Sequence, residues 1–317
     1  MTITRFPARL AQVTALSPDT SAFRFEAVTG TPFAAATAGG HLDIHLGPDL
    51  LRQYSLWDWD PAGSWATVAV KREENGRGGS AAMHQLREGA QVMLTGPRNA
   101  FALNEAASHH LLIAGGIGVT PLYAMAKTLT AQGKTPSVLY LTRNPKTAAF
   151  LPLLQALPLG DNLKVSYSDS EGMTDFQALF KSLPATTEVY VCGPEPMLQA
   201  ILDASKLLPE GHVKFERFSA APEQVEGENR AFTVALKRSG LEIEVPADKT
   251  LLDCLLDADV EVDFGCSEGI CGACITDVIS GEIDHRDGIL NDEEKAKGDC
   301  MCVCVSRAKA GKLVLDL

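Results

Sequence analysis

The sequence predicts a multidomain chain of α/β plus all-β class: an antiparallel β-barrel, then a doubly wound parallel sheet, then a small domain around a cysteine loop. Three observations carry this. Short β-type runs punctuated by Gly and Pro fill residues 1–103, strand and helix patterns alternate over residues 104–222, and Cys266, Cys271 and Cys274 stand in a glycine-rich loop further on. With 317 residues, 45% of them hydrophobic and 21% charged, there is material for two or three sizeable cores.

In the first segment, residues 23–25, 41–46, 66–70 and 91–94 are strand-like, and several alternate. Gly39-Gly40, Gly47-Pro48 and Gly96-Pro97 separate them. Short strands so spaced predict a small antiparallel barrel. Two stretches in it have chemical character. Arg52-Gln53-Tyr54-Ser55-Leu56 lies on a strand, whose period of two puts Arg52, Tyr54 and Leu56 on one face and Ser55 on the other. Arg77-Gly78-Gly79-Ser80 leads into a helical stretch over residues 81–86. Ser80 is expected to cap that helix, so that the glycines deliver the chain to a helix N-terminus able to cradle a phosphate. Either stretch alone could be an ordinary strand or turn. Together, upstream of the next segment, they read as a flavin site.

The second segment begins with a buried-type strand over residues 110–114, which runs into Gly115-Gly116-Ile117-Gly118-Val119-Thr120-Pro121 and a helix over residues 122–129. Thr120 is expected as the cap and Pro121 at the first helical position. The glycines would let a pyrophosphate approach the backbone, although a glycine turn between strand and helix often serves packing alone. Strands follow over residues 137–141, 163–167 and 188–191, the last entering Cys192-Gly193-Pro194-Glu195-Pro196-Met197 and a helix. This is the pattern of a dinucleotide-binding sheet.

A polar, proline-bearing stretch marks a linker at residues 223–230, and residues 231–317 form the last domain. A hairpin is expected over residues 232–236 and 241–245, a helix over 250–257 with Cys254 in the core, and a strand over 275–279. Between helix and strand, Cys266, Cys271 and Cys274 are spaced C-x4-C-x2-C, with a further cysteine about thirty residues on: the plant-type ferredoxin spacing for a 2Fe–2S cluster. Gly265, Gly269 and Gly272 interleave with the cysteines and would let the loop wrap closely, its N–H groups turned towards the cluster sulfurs. Zinc would call for paired C-x2-C units or histidines, disulfides for an oxidising compartment, and a Rieske centre for C-x-H, which the chain lacks. For the fourth ligand, spacing permits Cys300, Cys302 or Cys304. The domain is expected to be a β-grasp ferredoxin.

Charge sharpens the picture. Residues 231–317 carry 18 acidic and 9 basic side chains, whereas the preceding 230 carry 22 and 19. Acidity concentrated at the cysteine-bearing end opposes nucleic-acid binding and suits docking on a basic protein surface. The first ten residues lack the apolar stretch of a secretory signal, and the longest apolar runs are too short to span a bilayer, so a cytoplasmic protein is expected, with no membrane partner.

The whole ordered set resembles the phthalate dioxygenase reductase family, the FMN-containing reductase components of Rieske oxygenase systems. It comprises Arg52-Gln53-Tyr54-Ser55, Gly78-Gly79-Ser80, Gly115 to Pro121, Cys192 to Met197, Phe215-Glu216-Arg217-Phe218 and the cysteines. The resemblance implies electron flow from NADH through FMN and a 2Fe–2S cluster to a Rieske-type oxygenase partner, by a monomer. It implies that Arg52 and Ser80 hold the FMN phosphate, with Gln53, Arg77, Gly78 and Gly79 beside it. Tyr54 would pack on the flavin, Ser55 would approach its N5, and Lys71 would touch the ring or ribityl chain. Gly115, Gly116 and Gly118 would admit the dinucleotide, with Thr120 between the two cofactors. Cys192, followed by Gly193 and Pro194, would face the nicotinamide, and Phe218 would cover the flavin's other face. A match of Cys304-Val305-Ser306-Arg307-Ala308-Lys309 to the family's ending selects Cys304 as the fourth ligand. FMN over FAD follows from the glycine–serine phosphate site and from Asp58. NADH over NADPH follows from Asp169, with Arg143 and Lys146 pulling the other way. No general acid is called for, since the cofactors carry the chemistry; His109, His110 and His285 are expected to be structural or solvated. The alternatives are a reductase serving a soluble carrier or another oxygenase, and a redox sensor without turnover.

Overall fold

The computed structural model describes residues 5–28, 32–47, 50–76, 78–209, 211–218, 229–270, 272–290 and 292–317. Arg77, Cys271 and most of the expected linker lie outside the described residues. The chain divides into two compact units, Met1–Phe218 and Ser219–Leu317.

The first unit opens with a closed barrel. Its strands are β1 (Arg5–Ala15), β2 (Thr20–Ala27), β3 (His41–Gly47), β4 (Leu50–Trp59), β5 (Trp65–Lys71) and β6 (Gln91–Arg98), in the order β1-β2-β5-β4-β3-β6, with every pairing antiparallel. Closure follows from alternation: Leu10, Phe23, Phe25, Leu42, Ile44, Leu56, Val68 and Leu94 all turn into one core. Helix α1 (Gly79–Gln85) plugs that core with Met83. β1 had no sequence signal, because Arg5, Pro7, Arg9 and Gln12 break its apolar pattern and only Ala8 and Leu10 are buried.

The parallel sheet follows: β7 (His109–Gly115), α2 (Val119–Ala131), β8 (Ser137–Thr142), α3 (Leu151–Gln155), β9 (Leu163–Tyr167), α4 (Ser168–Glu171), α5 (Phe176–Lys181), β10 (Thr187–Cys192), α6 (Glu195–Ser205) and β11 (Val213–Glu216). The strand order is β11-β10-β7-β8-β9, all parallel. β7 is apolar from Leu111 to Ala114 because both its faces are covered there. Leu112 and Ala114 pack under Leu122 of α2 and Leu154 of α3, while Leu111 and Ile113 meet Phe176, Phe180 and Ile201 of α5 and α6. Ala38, Ala69 and Phe101 join the same core as α2, and Lys127 of α2 donates to the Asp58 carboxylate on β4. The barrel and the sheet thus share a core and form one unit.

The second unit holds β12 (Phe232–Leu236), β13 (Glu242–Val245), α7 (Leu251–Asp257), β14 (Ile275–Asp284), α8 (Asp292–Lys297), β15 (Cys300–Cys302) and β16 (Arg307–Leu315). Its mixed sheet runs β13-β12-β16-β14-β15, with β12 and β16 parallel and the other pairs antiparallel, as expected of a β-grasp domain. Thr250 and Asp253 form a capping box at the start of α7, worth about 1 kcal/mol, which sets Leu251, Leu252, Cys254 and Leu255 on the core. β14 continues five residues past its expected end at Ile279. Ser280-Gly281 has the composition of a turn, but Gly281 (φ 114°) sits in an irregular stretch of the ladder where a Cβ would strike Leu313. No helix among the described residues is long and apolar enough to cross a membrane.

Candidate functional site

In a parallel sheet the strands' carboxyl ends form a crevice where the strand order reverses, here between β7 and β10. Both ends are glycine turns packed on each other. A Cβ on Gly118 would stand 2.3 Å from the Cys192 carbonyl oxygen, and one on Gly193 would stand 2.9 Å from the Gly115 Cα. Gly115 also lies against Pro194 and Met197 at the start of α6. Gly116 takes the left-handed conformation at φ 54°. The helix begins earlier than the sequence suggested. Gly118 is the N-cap, Thr120 and Pro121 stand inside the first turn, and the buried Thr120 hydroxyl donates to the Ile117 carbonyl at 3.1 Å.

The barrel contributes a second edge. Arg52 lies across the start of α1, so close that a Cβ on Gly79 would fall 2.4 Å from its Cγ. Residues 27 positions apart in sequence therefore meet, and the space is open only because residue 79 is glycine. Here too the cap differs from expectation: Gly78, at φ 80°, is the N-cap, and Ser80 is the second helical residue, its hydroxyl accepting from the Glu73 N–H at 3.1 Å. A side chain inside the first turn cannot cap from outside it.

The two edges meet at Ser55. Its hydroxyl donates to Oε2 of Glu216 at 3.4 Å, and Glu216 stands beside Cys192 in the β10–β11 ladder. Arg217, paired with Glu195 at 3.0 Å, fixes the end of β11 against α6. Burial raises the Glu216 carboxyl to about 8, the Ser55 hydrogen bond opposing in part. Cys192 is wholly buried, and burial, then the Glu216 charge, push its thiol well above the usual value. Glu216 had no expected role of its own; its only sequence signal is a carboxylate at the end of a short strand, Val213–Glu216, just before Arg217.

Other expected site residues are engaged within the protein. Gln53 donates to Asp43 at 2.8 Å, Lys71 pairs with Glu73 at 2.8 Å, and Tyr54 leans on the barrel core, where burial raises its phenol. Asp169, exposed beyond β9, accepts from Asn144 at 2.9 Å, while its N–H donates to the Arg143 carbonyl at 3.0 Å. Phe218 is 42% exposed at the end of its unit. His110 is buried, with Nε2 2.8 Å from the Asn104 carbonyl; His285 is largely buried 3.6 Å from Asp287 rather than solvated.

In the second unit Cys266, Cys274 and Cys304 are buried, and the Cys274 and Cys304 sulfurs lie 3.1 Å apart. The Glu268 N–H donates to Cys266 Sγ at 3.3 Å, as a loop built to stabilise thiolates should. Left-handed conformations fall at Ser267, Gly269 and Gly272, and a Cβ on Gly269 would strike Val305 at 2.6 Å. Hydrogen bonding from Cys302 and then Cys304 holds the Cys274 thiol below its usual value, against the effect of burial. Among the described residues no three His, Cys, Asp or Glu side chains gather tightly enough for a single metal ion. A two-iron cluster does not require that, since its four thiolates divide between two irons. The donor set, its burial and the inward N–H fit a 2Fe–2S cluster.

Residues 234–309 match the model of the 2Fe-2S iron-sulfur cluster binding domain, and residues 95–208 that of the dimethylamine monooxygenase subunit DmmA-like N-terminal domain. The chain is 39% identical to the carnitine monooxygenase reductase subunit of Acinetobacter baumannii, over 98% of each protein. It matches the solved phthalate dioxygenase reductase with a TM-score of 0.74 and 37% identity, covering 99% of this chain and 98% of that one. It also matches an intact type IV self-sufficient cytochrome P450 monooxygenase (TM-score 0.88, 36% identity), spanning 99% of this chain but only 41% of that longer one. At this identity over full length, the chain belongs to the phthalate dioxygenase reductase family of oxygenase reductase components.

Proposed function

We propose that the chain is an NADH-dependent oxygenase reductase, passing electrons from NADH through FMN and a 2Fe–2S cluster to a Rieske-type oxygenase. The observation that carries this is the meeting of Ser55 with Glu216 beside Cys192, which sets the phosphate-type edge of a barrel against a dinucleotide-type crevice. A relative's structure described as modular, for electron transfer from pyridine nucleotides to [2Fe–2S], supports the order. A bound flavin supplies the conversion of a hydride pair into single electrons.

The chain's own residues do the rest. Arg52, Gly78, Gly79 and Ser80 hold a phosphate, with Tyr54 against the flavin. Gly115, Gly116, Gly118 and Gly193 give a dinucleotide backbone access. Thr120 and Pro194 shape the crevice. The Cys192 thiol, neutral and buried, leaves room for a nicotinamide without presenting charge. Glu216 keeps its proton below about pH 8, so together with the neutral Ser55 hydroxyl it would leave the crevice beside Cys192 without a fixed negative charge. Asp169 accepts from ribose hydroxyls and repels a 2′-phosphate, which favours NADH. Cys266, Cys271, Cys274 and Cys304 are the cluster ligands. The domains divide at residues 103, 222 and 230, and the chain works as a cytoplasmic monomer, where its thiols stay reduced.

The test is anaerobic mixing of the purified chain with NADH. The flavin absorbance is expected to bleach first and the cluster absorbance to follow; a chain loaded with both that stays oxidised overturns the proposal. A second reading, in which the acceptor is a cytochrome P450, is favoured by the similarity to the self-sufficient P450. Parallel assays with a purified Rieske oxygenase and a P450 as acceptors decide between them.

A further inference from the structure

Three thiols, rather than two, are buried in one core behind the cysteine loop. Cys302 ends β15, where it pairs across the ladder with Ile275, the residue after Cys274. The chain then turns: the Val305 N–H donates to the Cys302 carbonyl at 3.2 Å and the Ser306 N–H to the same oxygen at 2.9 Å. The turn holds Cys304 under the strand end, its sulfur 3.1 Å from that of Cys274, and the Val303 N–H donates to the Cys274 carbonyl at 3.3 Å, which keeps Cys302 beside the pair. All three are at most 2% exposed.

A packing role explains less than this. Cys254 belongs to the same apolar core but lies on α7, away from the turn that carries Cys302 and Cys304. Valine would fill position 302 at similar volume; what a thiol adds there is the ability to bind a soft metal. Burial also decides what could replace a ligand that leaves. Water and external thiols are shut out of this core, so the internal sulfur at residue 302 is the group within reach.

We propose that Cys302 is a reserve iron ligand, placed to take the coordination position of Cys304 when that thiolate leaves. This rests on the 2Fe–2S reading with Cys304 as fourth ligand. The exchange involves no change of oxidation state. The iron–Cys304 bond breaks, the Cys302 thiol passes its proton to the departing Cys304 thiolate, and the iron–Cys302 bond forms.

The test compares Cys304→Ala, Cys302→Ala and the double variant by iron and sulfide content, electron paramagnetic resonance after reduction, and far-ultraviolet circular dichroism. Cys304→Ala is expected to keep iron near the native level with a shifted resonance, and the double variant to lose most of it. A folded Cys304→Ala chain as iron-poor as the double variant overturns the proposal. An unshifted resonance in Cys304→Ala, with iron lost in Cys302→Ala, overturns it differently, by showing that Cys304 was never the ligand. A second measurement needs no change at Cys304: Cys302→Val is expected to release iron to a chelator several-fold faster than the native chain. Equal release rates reject the reserve role.

Discussion

The two candidate sites are assembled in opposite ways. In the second unit three of the four expected ligands come from nine consecutive residues, 266–274, and the fourth from a turn that packs on that loop. In the first unit the site draws on β4, the start of α1, the end of β7 and the ends of β10 and β11, so that Ser55 and its partner Glu216 are 161 residues apart. A loop can specify a cluster site locally, through ligand spacing and left-handed positions. A two-cofactor site needs two layers brought together, and its alignment depends on the core shared by the barrel and α2. Changes to the loop should therefore act on one unit alone, whereas changes at the crevice should couple stability to function.

The sharpest way to break this contrast is Cys266→Ser. Transfer to one-electron protein acceptors such as cytochrome c is expected to be abolished while flavin reduction by NADH proceeds at the native rate. Loss of both together would show that the two sites are not independent.

Next in size is Glu216→Gln. The folded carboxyl is raised from 4.5 to about 8, so its proton stabilises the fold fully below the unfolded value, and that stabilisation is lost as pH rises through about 8. Between pH 5 and 9 the native unit should lose on the order of a few kcal/mol that the glutamine variant keeps. All three tryptophans, Trp57, Trp59 and Trp65, lie in the barrel, so denaturant unfolding followed by their fluorescence reads this unit directly. Identical pH slopes in the two proteins would count against a half-buried Glu216 that keeps its proton at neutral pH.

Gly118→Ala tests the packing of the two glycine turns. The added Cβ meets backbone at 2.3 Å, which cannot rotate away. A loss of roughly 1–3 kcal/mol is expected, together with weaker NADH binding and an unchanged cluster spectrum. A rise in KM without any loss of stability would place the glycine's role in the ligand rather than in the fold.

The smallest effect belongs to the crevice rim. Asp169→Arg should shift the NADH-to-NADPH ratio of kcat/KM by about tenfold, or ~1.4 kcal/mol, towards NADPH. Unchanged discrimination would remove Asp169 from ribose recognition.

Much of this was written locally. Strand alternation at residues 41–46 and 66–70, the glycine turn after β7, and the capping box at Thr250 act over a few residues, so a single stretch displays them. The cap residues went astray for a physical reason: Ser80 and Thr120 are good caps by chemistry, but glycines at positions 78 and 118 could turn the chain earlier, and the helices began there. β1 and the second half of β14 were hidden because polar residues and Ser280-Gly281 mask strands held in place by their neighbours.

The sequence by itself determined the order of the three layers, the cysteine spacing and the acidic bias of the second unit, since each depends only on residue type and separation along the chain. Tertiary structure decided that Ser55 meets Glu216 beside Cys192, that Arg52 crosses Gly79, and that Cys302 shares a buried core with Cys274 and Cys304. Such contacts arise where separate layers bury a common surface, and burial is a property of the assembled fold that no short stretch of chain displays.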